Sequence, residues 1–373
     1  MSVLVWCQHL LGTGHLRRAL ALAAALAARS LPVTVVSGGP PTRFIPPAGV
    51  DLLQLAPIHA MAGDFTDLRM DDGRPVDDAI RRSRTDVLLE LVERLRPGVL
   101  VTEMFPFGRR AFRGELLPLI ERVRSRGGRV VCSVRDVLVD KPDPDRLCAM
   151  RDLALAYFDR ILVHGDPRFL PFAATFPLAG ELQGRLRHTG FVLDRAVRPS
   201  ATRSGILVSA GGGRVGGALL RAAAAARQEC VLAGEPWHIV GGAALAAGQQ
   251  AQLAEILGPG GQVDGHVDDL PERLGRCRVS VSQAGYNTVA EALMGAAAMV
   301  LVPFGDGGES EQTRRALRLA ELGRAVVLEA EALSARDLAA AIDRADRQDR
   351  GVGCHWAFDG AEVSAGLIGE LLP

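Results

Sequence analysis

The sequence has 373 residues, of which 43 are Lys or Arg and 43 are Asp or Glu, so its formal net charge is zero. This balance gives no indication of a nucleic acid or another polyanion as a partner. The length exceeds that of one hydrophobic core, and together with 48% hydrophobic residues it predicts a soluble α/β protein of two domains.

The cysteines and the apolar runs indicate a location for the protein. Six cysteines lie far apart and form no C-x-x-C pair, which predicts reduced thiols in a cytoplasmic protein, without a disulfide framework or a structural zinc site. No apolar stretch reaches the roughly 20 residues that span a bilayer, while peripheral membrane contact stays open.

The Asp-x-Asp of 143–145 lies in a proline-rich loop, so we expect no metal there.

The first half of the chain alternates short apolar runs with helical patterns. Between them, residues 75–97 predict a helix with a proline in its first turn, and residues 59–73 predict a long polar loop. Strands that are apolar on both faces are typical of a parallel sheet covered by helices on each side. The predicted strands are 3–7, 33–37, 99–103, 129–134 and 160–165.

A second series of strands and helices begins near Gly205, with strands in 237–242, 278–285, 298–304 and 325–329. The stretch 188–204 between the two series is the predicted linker. The sequence therefore predicts an α/β fold of two Rossmann-like parallel-sheet domains that face a central cleft. Their predicted bounds are 1–190 and 205–354, followed by a C-terminal helix over 355–373 that packs back on the first domain.

The motif with the strongest signal is "VSQAGYNTVAEALMGAAAMVLVPF", residues 281–304, which predicts a strand, a glycine turn, a helix and a strand. The first amides of such a helix have no partner within the helix, so they can hold a phosphate. Glu291 falls one turn inside, where a ribose could reach it. By its position alone, Glu291 could instead serve only to favour the helix dipole.

This stretch resembles the nucleotide-sugar-binding region of MurG-type GT-B glycosyltransferases. The resemblance implies that Glu291 binds the ribose diol and that the backbone at Val267 reads the uracil, while Asp268 and Asp269 could simply cap the next helix. It also implies that Glu311 and Gln312 contact the donor sugar, although both could be ordinary polar residues of a helix start. The residues implied to hold the diphosphate are Gly285, Tyr286, Asn287 and Thr288.

Two glycine-rich segments extend the resemblance. "LGTGHLRR", residues 11–18, is similar to the first glycine loop of the superfamily, which implies that His15 deprotonates the acceptor beside Gly12 and Gly14. From the residues alone, His15 could also cap a helix or lie in the core. "VSAGGGRVGG", residues 208–217, resembles the second glycine loop, whose implied diphosphate contacts are Ser209, Gly211, Gly212, Gly213 and Arg214.

Four further candidates follow the predicted strands of the first half, on the acceptor side. Glu103, Arg135, Asp136 and His164 lie at or just beyond carboxyl ends of strands, where ligands of open α/β sheets bind. Arg135 could instead simply pair with Asp136. This half resembles a bacterial group of predicted glycosyltransferases, so the resemblance does not specify the acceptor.

The resemblance as a whole implies transfer of a sugar from a UDP-sugar to an unidentified acceptor. It also implies that His15 acts as general base, that the anomeric configuration inverts, and that neither a metal nor a further cofactor takes part. The first alternative is a UDP-sugar hydrolase similar to that of pseudaminic acid synthesis, in which His15 activates water. The second alternative is a nucleotide-sugar sensor without catalysis.

Overall fold

The computed structural model describes residues 1–61, 64–139, 143–211, 216–242, 245–304, 310–331, 333–348 and 356–372. The chain forms two compact units. Unit 1 comprises Met1–Asp194 and Trp356–Pro373, and unit 2 comprises Arg195–His355.

Unit 1 is built on a parallel sheet of seven strands in the order β3-β2-β1-β6-β7-β8-β9. The remaining two strands, β4 and β5, pair antiparallel. In chain order the strands are β1 (Val3–Cys7), β2 (Val33–Ser37), β3 (Val50–Gln54), β4 (Ile58–Met61), β5 (Asp64–Met70), β6 (Val99–Glu103), β7 (Arg129–Arg135), β8 (Arg160–His164) and β9 (Leu186–His188).

Alternate residues of the central strands enter two separate apolar layers. Val3 and Val5 of β1 pack into one cluster, whereas Leu4 and Trp6 pack into the other. This two-sided burial is the physical reason for the continuous apolar runs in the sequence. The covering helices of this part of the chain are α1 (Gly14–Ala27), α2 (Asp78–Leu95), α3 (Arg113–Ser125) and α4 (Pro144–Tyr157).

Two predictions for the first half need correction. Residues 59–73 contain most of the β4–β5 hairpin rather than an irregular loop. Helix α2 begins at Asp78, after Pro75, because the side chain of Asp77 caps it by accepting a hydrogen bond from the Ile80 amide at 2.8 Å. Short 3-10 helices lie at Arg110–Phe112, Phe172–Ala174 and Pro177–Leu182.

Unit 2 contains a parallel sheet of six strands in the order β12-β11-β10-β13-β14-β15. The strands are β10 (Ile206–Ser209), β11 (Trp237–Val240), β12 (Gly261–Asp264), β13 (Val279–Ser282), β14 (Ala298–Leu301) and β15 (Ala325–Val327). The helices are α5 (Gly217–Ala226), α6 (Ala247–Leu257), α7 (Leu270–Arg276), α8 (Tyr286–Met294), α9 (Glu311–Glu321) and α10 (Ala335–Arg347), with a 3-10 turn at Arg227–Glu229.

The last helix, α11 (Gly360–Gly369), belongs to unit 1. Its Ala365 and Ile368 are fully buried in the apolar cluster that α1 forms with the sheet. Arg160, the first residue of β8, donates a hydrogen bond to the Leu367 carbonyl and pairs with Glu370 at 2.8 Å. The end of the chain therefore completes one face of the first sheet.

In both sheets the strand order reverses at a central strand. In unit 1 the chain leaves β1 for β2 on one side and later returns to β6 on the other, and in unit 2 strand β10 stands between β11 and β13 in the same way. Crevices at such switch points, beyond the carboxyl ends of the strands, are where ligands of open α/β sheets bind. Within the described ranges, no helix is long and apolar enough to cross a membrane.

A buried ion pair organises the loops at this edge of unit 1. The guanidinium of Arg84 on α2 donates from Nε and Nη2 to the two carboxylate oxygens of Glu115 on α3, both at 2.8 Å. It also donates to Gln8 Oε1 at 2.8 Å and to the carbonyls of Gly38 and Ala56 at 3.1 and 2.6 Å. The pair thereby fixes the segments that follow β1, β2 and β3.

We expect Arg84→Met to lower the free energy of unfolding by about 3–5 kcal/mol, because it leaves the buried Glu115 carboxylate without its counter-charge. Arg82→Met on the exposed face of the same helix is the matched control, for which we expect a change below about 0.5 kcal/mol. Urea denaturation measures both values. Equal stabilities for the two variants would contradict the structural role of Arg84.

Candidate functional site

The carboxyl edge of the first sheet brings together side chains from distant parts of the sequence. Strands β1 and β6 are parallel neighbours, with Trp6 opposite Thr102, so both end at the same edge. The chain leaves β1 through residues 8–13 and enters α1 at Gly14, which places His15 in the first turn of that helix. Glu103 is the last residue of β6.

His15 and Glu103 form a hydrogen-bonded pair. The distance from His15 Nδ1 to Glu103 Oε1 is 2.8 Å, and the side chains are 15% and 1% exposed. A carboxylate only accepts hydrogen bonds, so Nδ1 carries the ring proton and Nε2 keeps its lone pair. In the described parts of the chain Nε2 makes no hydrogen bond, and it is not among the buried side-chain atoms that lack a partner.

Arg18 supplies the charge that balances Glu103. It lies three residues after His15 in α1, is itself buried, and donates from Nη2 to the same Glu103 oxygen. Two residues of one helical face thus hold one buried carboxylate. Glu103 is fixed in place, and it fixes the imidazole in turn.

The surroundings of this pair set its protonation. Burial lowers the pKa of His15 to about 3, against the opposing effect of the Glu103 charge, and Arg109 and Arg135 lower it further. Burial alone would raise the pKa of Glu103, but its interaction with His15 and the charge of Arg18 together outweigh burial and hold this pKa below its ordinary range. The pair at neutral pH is therefore a neutral imidazole beside a carboxylate. The pKa near neutrality expected of a catalytic base is not what this structure gives.

The other acceptor-side candidates have different surroundings. Arg135 ends β7 and is partly exposed, while Asp136 is fully buried and accepts a hydrogen bond from the Val137 amide at 2.9 Å. His164 is fully buried, with its ring nitrogens 2.7 Å from Ser133 Oγ and 2.9 Å from Thr189 Oγ1. Burial lowers the pKa of His164 to about 3. His164 is therefore a core histidine, and we withdraw it as an acceptor contact.

The glycines of the first loop lie just before and at the start of α1, and at Gly12 no described neighbouring atom requires the absence of a side chain. Gly14 is the first residue of α1. A Cβ built at Gly12 would meet no described atom within 4 Å. Close approach of the protein's own backbone thus does not explain a glycine at position 12, and a role toward a ligand stays a prediction.

Three residues near this edge escaped the sequence reasoning. The imidazole of His9 is buried, with Nε2 3.0 Å from the Pro40 carbonyl and Nδ1 without a hydrogen bond among the described residues. Arg109 follows β6 and acts electrostatically on His9, His15 and Glu103. Arg18 could have been found from its helical spacing to His15, whereas His9 and Arg109 carry no periodic signal.

In unit 2 the start of α8 has the geometry that the motif predicts. Gly285 is the N-cap residue, no side chain caps the helix, and the first backbone bond within it runs from the Val289 amide to the Gly285 carbonyl at 3.0 Å. The amides of residues 286–288 therefore lie before the first hydrogen bond of the helix backbone, so they point out of the helix at its N-terminus. The Tyr286 side chain is buried, with its ring 5.9 Å from the guanidinium of Arg315.

Glu291 lies on α8 inside unit 2 and is only 1% exposed. Glu311, the first residue of α9, is also buried, and Gln312 Oε1 accepts a hydrogen bond from the Phe304 amide at 3.2 Å. Arg315, which the sequence did not single out, donates to the Ala284 carbonyl at 2.6 Å. Arg315 thus joins α9 to the turn before α8.

The remaining predicted donor contacts lie at the ends of β10 and β12. Ser209 ends β10 with a buried hydroxyl that has no hydrogen bond among the described residues, and Gly211 has a φ of +69°, which favours glycine. Gly212, Gly213 and Arg214 lie outside the described residues.

Val267 lies in the segment between β12 and α7 and is partly exposed. Asp269 is the N-cap residue of α7, but its side chain pairs with Arg273 at 2.8 Å and makes no capping hydrogen bond, so the alternative of a side-chain cap does not hold at that residue. Asp268 is exposed and its Oδ1 lies 3.2 Å from His266 Nε2. No group of three or more His, Cys, Asp or Glu side chains that could hold a metal occurs in the described part of the chain.

Comparison with known proteins relates unit 2 to one sequence family. Residues 236–350 match the glycosyltransferase family 28 C-terminal domain. A UDP-N-acetylglucosamine--N-acetylmuramyl-(pentapeptide) pyrophosphoryl-undecaprenol N-acetylglucosamine transferase of Rhodospirillum centenum is 40% identical over 73 residues, which are 18% of this chain and 19% of the relative. The match thus spans about a fifth of that curated protein.

Solved structures match over nearly the whole chain. MurG of Acinetobacter baumannii has a TM-score of 0.62 and 15% identity over 99% of this chain and 100% of its own. The glycotransferase of kitacinnamycin has a TM-score of 0.62 and 18% identity over 100% and 99%. Arabidopsis thaliana UGT89C1 complexed with quercetin has a TM-score of 0.67 and 15% identity over 100% and 99%. These matches confirm the predicted GT-B fold and the resemblance to MurG-type proteins.

We expect His15 to stay neutral, with its proton on Nδ1, from pH 8 down to pH 5, because burial disfavours the imidazolium. Two-bond ¹⁵N–¹H NMR correlations of histidine-labelled protein report both the charge and the tautomer. In Glu103→Gln the carboxylate acceptor is lost, and we expect the strong preference for the Nδ1–H tautomer to weaken. Titration of His15 near pH 6.5 would contradict this description.

Proposed function

We propose that this chain, which has the GT-B fold and carries a family 28 C-terminal domain in its second unit, transfers a sugar from a UDP-sugar to an acceptor hydroxyl. The observation that carries the proposal is the pair of His15 and Glu103, in which a buried carboxylate holds an imidazole with Nε2 unprotonated. Support for the donor comes from the 73 residues shared with an N-acetylglucosamine transferase and from the fold shared with UGT89C1, which is known in a complex with UDP-L-rhamnose.

Unit 1 supplies the base in this proposal. Nε2 of His15 takes the proton of the acceptor hydroxyl while the hydroxyl oxygen forms a bond to the anomeric carbon. The bond from that carbon to the β-phosphate oxygen breaks, and UDP leaves with the electron pair. The imidazolium formed in this step is stabilised by Glu103, since an opposite charge at hydrogen-bond distance favours the charged form. One displacement inverts the anomeric configuration.

Unit 2 holds the donor in this proposal. The amides of residues 286–288 and the glycine segment 211–213 bind the diphosphate, and the positive end of the α8 dipole stabilises the charge that develops on it. Glu291 accepts hydrogen bonds from the ribose diol, the backbone at Val267 reads the uracil, and Glu311 and Gln312 contact the sugar. The reaction in this form uses no metal and no further cofactor.

The substitution His15→Ala tests the base. We expect kcat/KM for sugar transfer to fall by about 10²–10⁴, the usual contribution of a general base, with affinity for UDP unchanged. His59→Ala, which removes a histidine of the β4–β5 hairpin, is the control. A coupled assay of UDP release, run with a panel of UDP-sugars and cell extracts as the acceptor source, gives the rates, and mass spectrometry identifies the product.

The same assay without extract separates transfer from hydrolysis. We expect UDP release to depend on the acceptor. Stoichiometric release of UDP and free sugar without any acceptor would contradict the transferase and favour the hydrolase. UDP binding without turnover over the whole panel would favour a sensor, and full activity of His15→Ala would remove the proposed mechanism.

A further inference from the structure

The chain just beyond the His15–Glu103 pair holds an arginine in an unusual backbone conformation. After β6, Met104 and Arg109 both have positive φ, +68° and +58°, a region that residues other than glycine rarely adopt. The turn is fixed by a bond from the Gly108 amide to the Met104 carbonyl at 2.8 Å and by the buried Phe107. Such conformations persist where the surrounding structure enforces them, and they cluster at functional sites.

The guanidinium of Arg109 has no partner among the described residues. Its Nε is buried without a hydrogen bond, and no carboxylate of the described ranges lies within ion-pair distance of the guanidinium. By contrast, the fully buried Arg84 makes hydrogen bonds from all three of its guanidinium nitrogens. Since nearly all buried polar groups in proteins have a partner, an enclosed arginine donor without one indicates a ligand that supplies an acceptor.

The charges around Arg109 specify the kind of ligand. After burial, which lowers the pKa of Arg109, the largest influences on this pKa are Glu103, which raises it, and Arg135, which lowers it. Glu103 already pairs with Arg18 and holds His15. Ser133 lies opposite Glu103 in the sheet, so Arg135, two residues further along β7, extends from the same edge. The Glu103 carboxylate is thus already paired with Arg18, and the Arg109 guanidinium can bind an anion in a partly buried place.

A second enclosed atom indicates that the ligand also donates. Glu103 Oε2 is buried without a hydrogen bond among the described residues, although Oε1 serves both His15 and Arg18. A hydroxyl group can donate a hydrogen bond to this oxygen, and it can equally donate to Nε2 of His15, which only accepts. The edge thus offers acceptors for hydroxyl groups next to donors for an oxyanion.

We propose that Arg109 binds an oxyanion of the acceptor, a phosphate or a carboxylate, close to the hydroxyl that His15 deprotonates. This inference rests on the proposed function and names the acceptor class as anionic hydroxy compounds. It also supplies a condition for the base. An anion that offsets the charge of Arg109 removes one of the influences that depress the pKa of His15, so the base gains strength when an anionic acceptor is bound.

Calorimetry on the full chain tests the inference. The protein is first saturated with UDP to occupy the donor site, and inorganic phosphate and acetate are then titrated separately. We expect wild type to bind at least one of them at one site, Arg109→Gln to bind it at least 10-fold more weakly, and the exposed control Arg110→Gln to bind it within 2-fold of wild type. Phosphate binding assigns a phosphate acceptor, and acetate binding without phosphate binding assigns a carboxylate.

Wild type that binds UDP but neither anion, or Arg109→Gln that binds the anion as well as wild type does, would overturn the inference. Failure to bind UDP at all would instead count against the proposed function, so the two results are distinguishable. Thermal unfolding in a buffer free of oxyanions guards against a folding defect. We expect Arg109→Gln to melt at or above the wild-type temperature, because it removes an uncompensated charge, whereas a structural arginine would lower that temperature.

Discussion

The site at the edge of the first sheet depends on one buried charge, the carboxylate of Glu103. A carboxylate with 1% exposure is stable only when cations and hydrogen-bond donors surround it. Helix α1 supplies both, through His15 and Arg18 on adjacent turns. The hydrogen bond from His15 that stabilises the buried carboxylate also selects the tautomer of His15. The same contact therefore stabilises the fold and leaves Nε2 able to accept a proton.

The two units assemble their sites in different ways. In unit 2 the amides of α8 and Glu291, proposed to bind the donor, lie in one contiguous strand-turn-helix segment, and the other proposed donor contacts follow β10 and β12 or begin α9. In unit 1 the site combines the ends of β1, β6 and β7, which are far apart in the chain and adjacent in the sheet. The local part of the donor site can therefore be predicted from one sequence motif, whereas the acceptor-side residues come together only in the folded sheet.

The same difference explains what the sequence could predict. The central strands and α1 were predictable because apolar runs and helical spacing are local, and the fold followed from their alternation. The β4–β5 hairpin was missed because its residues are mixed in polarity and it pairs outside the main sheet. His15 and Glu103 were each predicted as candidates, but their contact depends on the register of β1 against β6, which no local pattern contains. The low pKa of His15 and the position of Arg109 depend on burial and on loop geometry, so they required the structure.

A double-mutant cycle on kcat/KM for sugar transfer tests the central claim most directly, because residues that act as one unit are not additive. The cycle compares His15→Ala, Glu103→Ala and the double variant, each checked for folding and UDP binding. The account predicts that adding Glu103→Ala to His15→Ala slows transfer much less than Glu103→Ala slows the wild type, since Glu103 acts on the reaction mainly through the imidazole. Losses that multiply would contradict it and would show that the carboxylate and the imidazole act independently.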